Sequence, residues 1–393
     1  MKLKTISLTK VDVERLKSIF REFYDEEPLI VRSPGRINII GEHTDYNGGF
    51  VMPATIDKAI YIGISKRKDE EIHLYAENYK QTHTAKLTEL KISEKGWPNY
   101  ILGVVDQLLK RGYRIGGFNL YIDGDIPLGA GLSSSAAMEC AAAYALDQLF
   151  ALSIPQLDIV LIAQQAEHVF AGVSCGIMDQ FASVFGRKDH AILLDCRSMD
   201  YQYIPLHLEG YQLLLLNTKI KHSLSNSAYN ERRAQCEQGV AWVKNDYPGV
   251  VSLRDVTLDM LHQCVEQKDR NVYEKCRFVV TENQRLIKAA AHLKEGNLEA
   301  LGQLMLETHK RLSEDYEVSC KELDFLVDTV KDLDAVLGAR MMGGGFGGCT
   351  LNIVKSEEID NLVNMVSTKY LNEFRIELDA YVVQTDSGTS RII

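Results

Sequence analysis

The feature that most constrains the fold of this chain is a glycine-rich turn that joins a strand to a helix. Residues 118–122 have the pattern of a strand, residues 129–131 read Gly-Ala-Gly, and the alanine-rich segment 136–149 has high helix propensity. Small residues let the backbone approach a ligand closely, and the first turn of a helix offers unpaired N–H groups and a positive dipole end. This order therefore predicts a cradle for phosphate groups.

Three consecutive serines, Ser133, Ser134 and Ser135, follow this turn at the predicted start of the helix. Their hydroxyls can donate to phosphate oxygens or bind Mg²⁺, and an ordinary helix N-cap is the alternative. The segment is not a Walker P-loop, because no G-x-x-x-x-G-K-[ST] pattern occurs and no lysine follows the glycines. A bound nucleotide would therefore need backbone dipoles, a metal ion and a basic residue from elsewhere.

A second turn, residues 343–348, holds five glycines in six positions. Such a density costs chain entropy, so it implies left-handed backbone conformations or the close approach of another group. The alternative is a tight turn that leads into a strand predicted at residues 349–354.

Residues 33–53 contain an unusual number of hydrogen-bonding side chains between two apolar strands. Arg36, Glu42, His43 and Asp45 lie there beside several glycines. Carboxylates accept hydrogen bonds from sugar hydroxyls and histidine can donate or accept, so the segment could line a polyol pocket. A polar hairpin tip is the alternative.

Two further carboxylates lie in and after a helix predicted at residues 156–171. Asp179 is among small and apolar residues, where an unpaired charge is costly to bury, so we expect an arginine partner that keeps it ionised, or else a helix N-cap. Glu167 lies on the helix and could face solvent. With one serine hydroxyl it could also provide the protein oxygens for a Mg²⁺ ion held by phosphates.

Composition limits the class of protein. The chain has 393 residues, 46% of them apolar, and a net charge of −10, which disfavours nucleic acid and anionic membranes as partners. The longest aliphatic run, residues 213–216, is far shorter than the ~20 residues that cross a bilayer, and the N-terminus lacks the apolar core of a signal peptide. Eight scattered cysteines are typical of a reduced protein, so we expect a globular cytoplasmic protein.

The predicted secondary structure changes near the middle of the chain. Strand patterns dominate the first half, whereas long charged helices are predicted from about residue 225 onward, at 225–246, 271–295, 298–312 and 319–332. We therefore predict two domains, a sugar- and phosphate-binding domain at residues 1–205 and a second domain at residues 206–393.

Three segments in this order, SPGRINIIGEHTDYNGGFVMP, PLGAGLSSSAAMECA and MGGGFGGC, resemble the three motifs of the GHMP small-molecule kinases. The first is similar to the signature of the galactokinase branch, and AEHVFAGVSCGIMDQF and HSLSNSAYNERRAQCE extend this resemblance over most of the chain. It implies an α+β fold of two domains, an N-terminal one similar to ribosomal protein S5 domain 2 and a C-terminal ferredoxin-like one. The active site would lie in the cleft between them.

The resemblance implies phosphorylation of galactose at its C1 hydroxyl, with ATP as co-substrate and Mg²⁺ as cofactor. The sequence carries no signal of oligomeric state, and a monomer is our expectation. Asp179 would be the catalytic carboxylate and Arg36 its cationic neighbour. The implied sugar contacts are Glu42, His43, Asp45, Gly176 and Tyr229; the implied phosphate contacts are Gly129, Ala130, Gly131, Leu132, Ser133, Ser134 and Ser135; and the implied Mg²⁺ ligands are Ser134 or Ser135 with Glu167.

The sequence leaves open the role of residue 342, the adenine pocket and two competing functions. Met342 departs from the family pattern, because many relatives carry Thr or Ser before the glycines. Trp97, Asn99 and Tyr100 are candidates for an adenine pocket or for core and surface positions. Two other functions also compete: a kinase of the same family for N-acetylgalactosamine or arabinose, and a galactose sensor without catalytic activity.

Overall fold

The computed structural model of the protein describes residues 11–127, 129–221 and 225–393. Its N-terminal half is built on a six-stranded sheet with the strand order β13-β1-β3-β6-β4-β5. Within this sheet β4 and β6 are parallel and the other neighbouring strands are antiparallel. The elements of this sheet and of the helix before it are α1 (Val13–Tyr24), β1 (Leu29–Asn38), β3 (Pro53–Lys66), β4 (Glu71–Ala76), β5 (Gln81–Lys86), β6 (Phe118–Gly124) and β13 (Ser390–Arg391).

Helices cover both faces of this sheet. On one face α3 (Ser134–Phe150) packs against β1 and β3, and its run of buried alanines allows the other helices to approach it closely. On the other face Leu16 and Phe20 of α1 pack against Tyr61 and Tyr121. The helices of the first face are α2 (Pro98–Lys110), α3 (Ser134–Phe150), α4 (Gln156–Ala166), which continues into a wider π-type turn at Glu167–Ala171, and α5 (Met178–Phe185).

Two smaller sheets complete the fold. A three-stranded sheet consists of β2 (Phe50–Val51), β7 (His190–Asp195) and β8 (Tyr201–Pro205). The C-terminal half has an antiparallel four-stranded sheet with the order β10-β11-β9-β12. Its elements are β9 (Tyr211–Lys221), α6 (Ser225–Asp246), α7 (Leu258–Cys264), α8 (Arg270–Lys294), α9 (Leu298–Glu314), α10 (Lys321–Val330), β10 (Val336–Met341), β11 (Gly347–Lys355), α11 (Ile359–Phe374) and β12 (Asp379–Val383).

Most of the long elements follow the sequence pattern. The helix predicted at residues 225–246 is confirmed with the same bounds, and the strand after the second glycine-rich turn is confirmed as β11. The pattern did not reveal α5, β5, β8, α7, β10 or β13. The last of these returns to pair with β1, a long-range contact that local periodicity does not encode. Among the described residues, no helix is both long and apolar enough to cross a membrane.

Candidate active site

The two glycine-rich turns line the same cavity, which has a volume of about 740 Å³. Their backbones pack closely, because a Cβ on Gly343, which has a positive φ of 79°, would lie 3.3 Å from the carbonyl oxygen of Gly131. The high glycine content therefore serves a close approach between two backbones. The cavity is lined by Arg36, Pro127, residues 129–135, Asp179, Ile220, Met342 and residues 344–348.

The first turn ends at the N-terminus of α3, as the sequence predicted. Gly129, Gly131 and Ser133 have positive φ values, at every second position of the turn. Such a change of backbone conformation between neighbouring residues can direct successive N–H groups into one concave anion-binding site. The Ser133 side chain makes no capping bond to the helix and donates instead to Asp179 Oδ2. Ser133 thus lies at the N-cap position of α3, as the alternative expected, but its hydroxyl does not cap the helix.

Arg36 and Asp179 form a bidentate ion pair at the edge of this cavity. Arg36 Nε and Nη2 lie 2.8 and 2.9 Å from the two carboxylate oxygens, and Nη1 donates to the carbonyl oxygen of Gly131 at 2.7 Å. Burial by itself lowers the pKa of Arg36, but Asp179 and two further carboxylates nearby raise it above its ordinary value. The guanidinium thus stays charged and joins β1, α5 and the first glycine-rich turn. We call residues 129–135 the phosphate turn, after the ligand that the sequence predicts for them.

Asp179 lies in the first turn of α5, which begins at Met178 after Ile177 as N-cap. The alternative that Asp179 itself caps a helix is therefore wrong. A carboxylate in a first helical turn is stabilised by the helix dipole. The Asp179 side chain keeps 27% of its surface exposed, so its oxygens remain accessible from the cavity.

A second cavity of about 140 Å³ adjoins the first, and Arg36 and Asp179 line both. It brings together all five residues that were predicted to contact a sugar: Glu42, His43, Asp45, Gly176 and Tyr229. They come from the segment after β1, the segment before α5, and the first turns of α6. Its remaining lining residues are Glu167, Val173, Cys175, Met178, Gly343 and Gly344.

The absence of a side chain at Gly176 makes room for Asp45. A Cβ on Gly176 would lie 1.8 Å from Asp45 Oδ2. Burial, followed by the charge of Asp179, raises the pKa of Asp45 to about 6. Asp45 is thus a carboxylate at neutral pH, but one that titrates close to it.

His43 is a neutral side chain in the same cavity. Burial lowers the pKa of His43 to about 4. Its Nδ1 lies 2.9 Å from the hydroxyl of Tyr46, which in turn lies 2.8 Å from the hydroxyl of Tyr316. Its Nε2 is buried without a hydrogen-bond partner among the described residues. One polar atom of His43 is therefore available to a ligand in the cavity.

Glu42 accepts a hydrogen bond from Arg340, a residue that the sequence did not point to. Its Oε1 accepts from Arg340 Nη2 at 2.6 Å and from the Gly343 backbone N–H at 2.9 Å. Arg340 is fully buried in β10. A lone arginine in an apolar strand next to the second glycine-rich turn was the available signal, because such a charge needs a partner.

Glu167 is buried, so the alternative that it faces solvent is wrong. Its Oε2 accepts from Gln180 Nε2 at 2.7 Å, and the Ser135 hydroxyl also hydrogen-bonds to its carboxyl group. Burial, followed by the charge of Asp179, raises the pKa of Glu167. The neighbouring Glu139 has a buried Oε1 without a partner among the described residues. Burial, followed by the charge of Glu167, also raises the pKa of Glu139. A divalent cation held mainly by phosphates fits here, because it would accept these carboxyl oxygens as ligands and offset the repulsion between them.

A third cavity of about 190 Å³ opens beside the phosphate turn and is lined by Tyr79, Tyr100, Met138 and Ser135, among others. Of the three adenine-pocket candidates, only Tyr100 lines it. Trp97 is buried and donates to Gln81, and Asn99 bonds the backbone of Ser93 at both ends of its amide. Trp97 and Asn99 therefore have structural partners.

Comparison with known proteins gives the class of the chain. The GHMP kinases N terminal domain matches residues 99–187, and the GHMP kinases C terminal domain matches residues 286–372. The mevalonate kinase of Methanococcus jannaschii, only 19% identical, shares the fold with a TM-score of 0.64 over 92% of this chain and 99% of that one. The protein is a GHMP kinase, and the two-domain α+β fold expected for that family is confirmed.

Closer relatives narrow the assignment. The galactokinase galactose-binding signature matches residues 18–66. The galactokinase of Thermotoga petrophila is 41% identical over 364 residues, covering 92% of this chain and 99% of that protein, and that of Clostridium perfringens is 39% identical over 388 residues, covering 97% and 100%. The crystal structure of Lactococcus lactis galactokinase complexed with galactose superposes with a TM-score of 0.93, at 35% identity over 97% of this chain and all of that one. The chain belongs to the galactokinase family.

Proposed function

We propose that the protein transfers the γ-phosphoryl group of ATP to the C1 hydroxyl of galactose and forms α-galactose 1-phosphate and ADP. The observation that carries this proposal is the shared wall of the two cavities. Arg36 and Asp179 line both the larger cavity, which has the phosphate turn, and the smaller one, which has the polar side chains. A hydroxyl and a phosphoryl group bound on either side of this pair would meet beside it.

The larger cavity suits the nucleotide. We assign the phosphates to the backbone N–H groups and hydroxyls of residues 129–135, because the positive-φ turn and the N-terminus of α3 together favour anions. The cavity lined by Tyr79 and Tyr100 adjoins this turn through Gly129, Ser134 and Ser135. We assign the adenine ring to it, since aromatic side chains offer flat apolar surfaces to a planar base.

The smaller cavity suits a hexose. Asp45 and Glu42 offer acceptor oxygens, and neutral His43 offers one free ring nitrogen that can donate or accept. The ring of Tyr229 lies 5.3 Å from that of His43 and gives one wall an apolar face. Such a mixture of acceptors and one flat face fits a sugar with several hydroxyls.

The chemistry requires positioning more than covalent participation by the protein. The C1 oxygen attacks the γ-phosphorus while the bond from phosphorus to the β,γ-bridging oxygen breaks and ADP leaves. Asp179 accepts the C1 proton and later releases it to solvent. A carboxylate is a weak base towards an alcohol, so the proton moves late, as the new P–O bond forms. Arg36 holds this carboxylate in place and stabilises negative charge on the phosphoryl group in transfer.

We also propose Mg²⁺ as the cofactor, with Glu167 and the hydroxyl of Ser134 or Ser135 as its protein ligands. Burial of Glu167, its hydrogen bond with Ser135 and the unpartnered oxygen of Glu139 support this assignment. When bound, Mg²⁺ supplies neutralisation of the phosphate charge. The amide of Gln180 donates to Glu167 Oε2 and holds the Glu167 carboxyl group where it also bonds Ser135.

The test is ADP release from Mg-ATP with galactose, glucose and N-acetylgalactosamine as acceptors. We expect the highest kcat/KM with galactose. A higher value with N-acetylgalactosamine would favour a kinase for another sugar. Galactose binding without ADP release would favour a sensor.

Four expectations from the sequence stay predictions: a division into domains at residue 205, a monomeric state, a cytoplasmic location and the absence of nucleic-acid binding. Light scattering on the purified protein would test the monomer. Its net charge of −10 supports the expectation about nucleic acid.

A further inference from the structure

Arg340 is a buried arginine that ties the C-terminal sheet to the sugar cavity. It lies on β10, and its Nη1 donates to the backbone carbonyl oxygens of Asn38 at 2.7 Å and Ile39 at 3.1 Å. Its Nη2 donates to Glu42 Oε1, 298 positions away in the sequence, at 2.6 Å. One guanidinium thus holds both the end of β1 and the first acidic residue of the sugar cavity.

Through Glu42 this contact reaches the second glycine-rich turn. The same Oε1 atom that accepts from Arg340 also accepts from the Gly343 backbone N–H at 2.9 Å. Gly343 and Gly344 line the smaller cavity, and residues 344–348 line the larger one. The turn therefore forms a wall of both cavities, and Glu42 holds one end of it.

The strength of the Arg340–Glu42 pair makes this link stiff. Both side chains are almost completely buried, so a loss of either partner leaves the other charge without compensation. Movement of Glu42 must therefore be followed by Arg340, by Gly343 or by both. A ligand that contacts Glu42 from the smaller cavity fixes the position of the Gly343 amide, and a ligand that fixes the turn from the larger cavity constrains Glu42 in the same way.

We propose that Arg340, Glu42 and Gly343 couple sugar binding to nucleotide binding, with Arg340 as a positioning residue. Because coupling between two sites is reciprocal, each ligand tightens the binding of the other by the same factor, which typically lies between about 5 and 150. This inference rests on the proposed function, since it assigns a hexose to the smaller cavity and a nucleotide to the larger one.

The experiment measures the Kd of galactose by calorimetry with and without a saturating non-hydrolysable ATP analogue and Mg²⁺. In the wild-type protein the ratio of the two Kd values should be about 5 or more. In Arg340→Met the ratio should fall to near 1. In Arg340→Lys, which keeps a cation but loses the fork of donors, it should be intermediate, and this variant decides the question if Arg340→Met does not fold.

Arg32 provides a matched control. It is another buried arginine, and it donates to a carboxylate, Asp386 Oδ2, at 2.7 Å and to the carbonyl oxygens of Ile56 and Ser387. It is not among the residues that line the two cavities. Both Arg32→Met and Arg340→Met should lower the melting temperature, but Arg32→Met should keep the Kd ratio of the wild type.

The outcomes that contradict this inference differ from the one that contradicts the proposed function. A wild-type ratio near 1, an unchanged ratio in folded Arg340 variants, or a ratio that also falls in Arg32→Met would overturn the inference. A wild-type protein that phosphorylates galactose but shows no coupling contradicts only this inference. A protein that neither binds nor phosphorylates galactose contradicts the proposed function itself.

Discussion

Arg36 and Asp179 are 143 positions apart in the sequence, and their side chains make two parallel hydrogen bonds of 2.8 and 2.9 Å. The local sequence around neither residue specifies its partner. Arg36 lies beside a register shift in β1, where the pairing with β3 is interrupted, and Asp179 lies in the first turn of α5. The proposed chemistry depends on this pair, and the first two predictions test it.

Asp179→Asn removes the proton acceptor but keeps the size and much of the hydrogen bonding of the side chain. We expect kcat to fall by about 10²–10⁴-fold, while the Kd of galactose changes by only a few-fold, because the remaining sugar contacts are untouched. Steady-state kinetics and calorimetry measure the two quantities. Turnover close to that of the wild type would rule out the role of Asp179.

Arg36→Ala removes the cation that holds Asp179 and faces the larger cavity. We expect kcat to fall by about 10²–10³-fold, since charge on the transferred phosphoryl group loses its stabilisation. The folded fraction must be checked by circular dichroism, because the variant leaves the partly buried carboxylate of Asp179 without its cationic partner. A change in KM alone would contradict the assignment of Arg36 to the reaction.

Gly176→Ala should damage sugar binding more than nucleotide binding. The added Cβ would lie 1.8 Å from Asp45 Oδ2, so the Asp45 side chain must move. We expect the KM for galactose to rise about tenfold or more, while the Kd of ATP is unchanged. Gly249→Ala is the control, since nothing lies within 4 Å of a Cβ there. Equal effects of the two substitutions would contradict this account of Gly176.

Asp45→Asn should stabilise the protein at neutral pH and weaken its binding of galactose. The folded protein has an Asp45 pKa of about 6, above the ordinary value of 3.8, so between these pH values it holds a proton that the unfolded chain has lost. The free energy of unfolding therefore falls as pH rises through this window. Above pH 6 the variant should be more stable by about 1–3 kcal/mol, and the difference should shrink towards pH 4.

Denaturant unfolding from pH 4 to pH 8 measures this difference between the Asp45 variant and the wild type. Asp332 is exposed, so Asp332→Asn is the matched control and should follow the wild-type curve. An Asp45 variant that is less stable than the wild type at pH 7 would contradict this prediction, because the backbone hydrogen bonds from Tyr46 and Met178 would then outweigh the cost of burying the carboxylate.

Glu167→Gln should change the requirement for Mg²⁺. A neutral amide is a weaker ligand than a carboxylate, so the Mg²⁺ concentration for half-maximal activity should rise about tenfold or more. The Kd of ATP measured without Mg²⁺ should stay close to that of the wild type, since the phosphate turn is unchanged. An unaltered Mg²⁺ dependence would remove Glu167 from the set of metal ligands.

Much of the site was visible in the sequence because its signals are local. The glycine and serine content of residues 129–135 predicts an anion-binding turn before a helix, and α3 begins at Ser134. The glycines of residues 343–348 predict a backbone that needs close approach, and the contact between Gly343 and Gly131 shows its cause. The resemblance to the family then implied roles for residues such as Tyr229, for which no local pattern exists, and these roles stay predictions.

The sequence by itself determined which segments carry chemistry, because glycine, serine and the acidic residues have strong local preferences for turns, helix starts and polar pockets. Tertiary structure alone decided which charges face each other. Ser133 bonds Asp179 in place of its own helix, Glu167 is buried against Gln180, and Arg340 reaches Glu42 across most of the chain. Such pairings follow from how the sheets and helices pack. A buried charge needs a partner, but the packing decides which group lies close enough to be that partner.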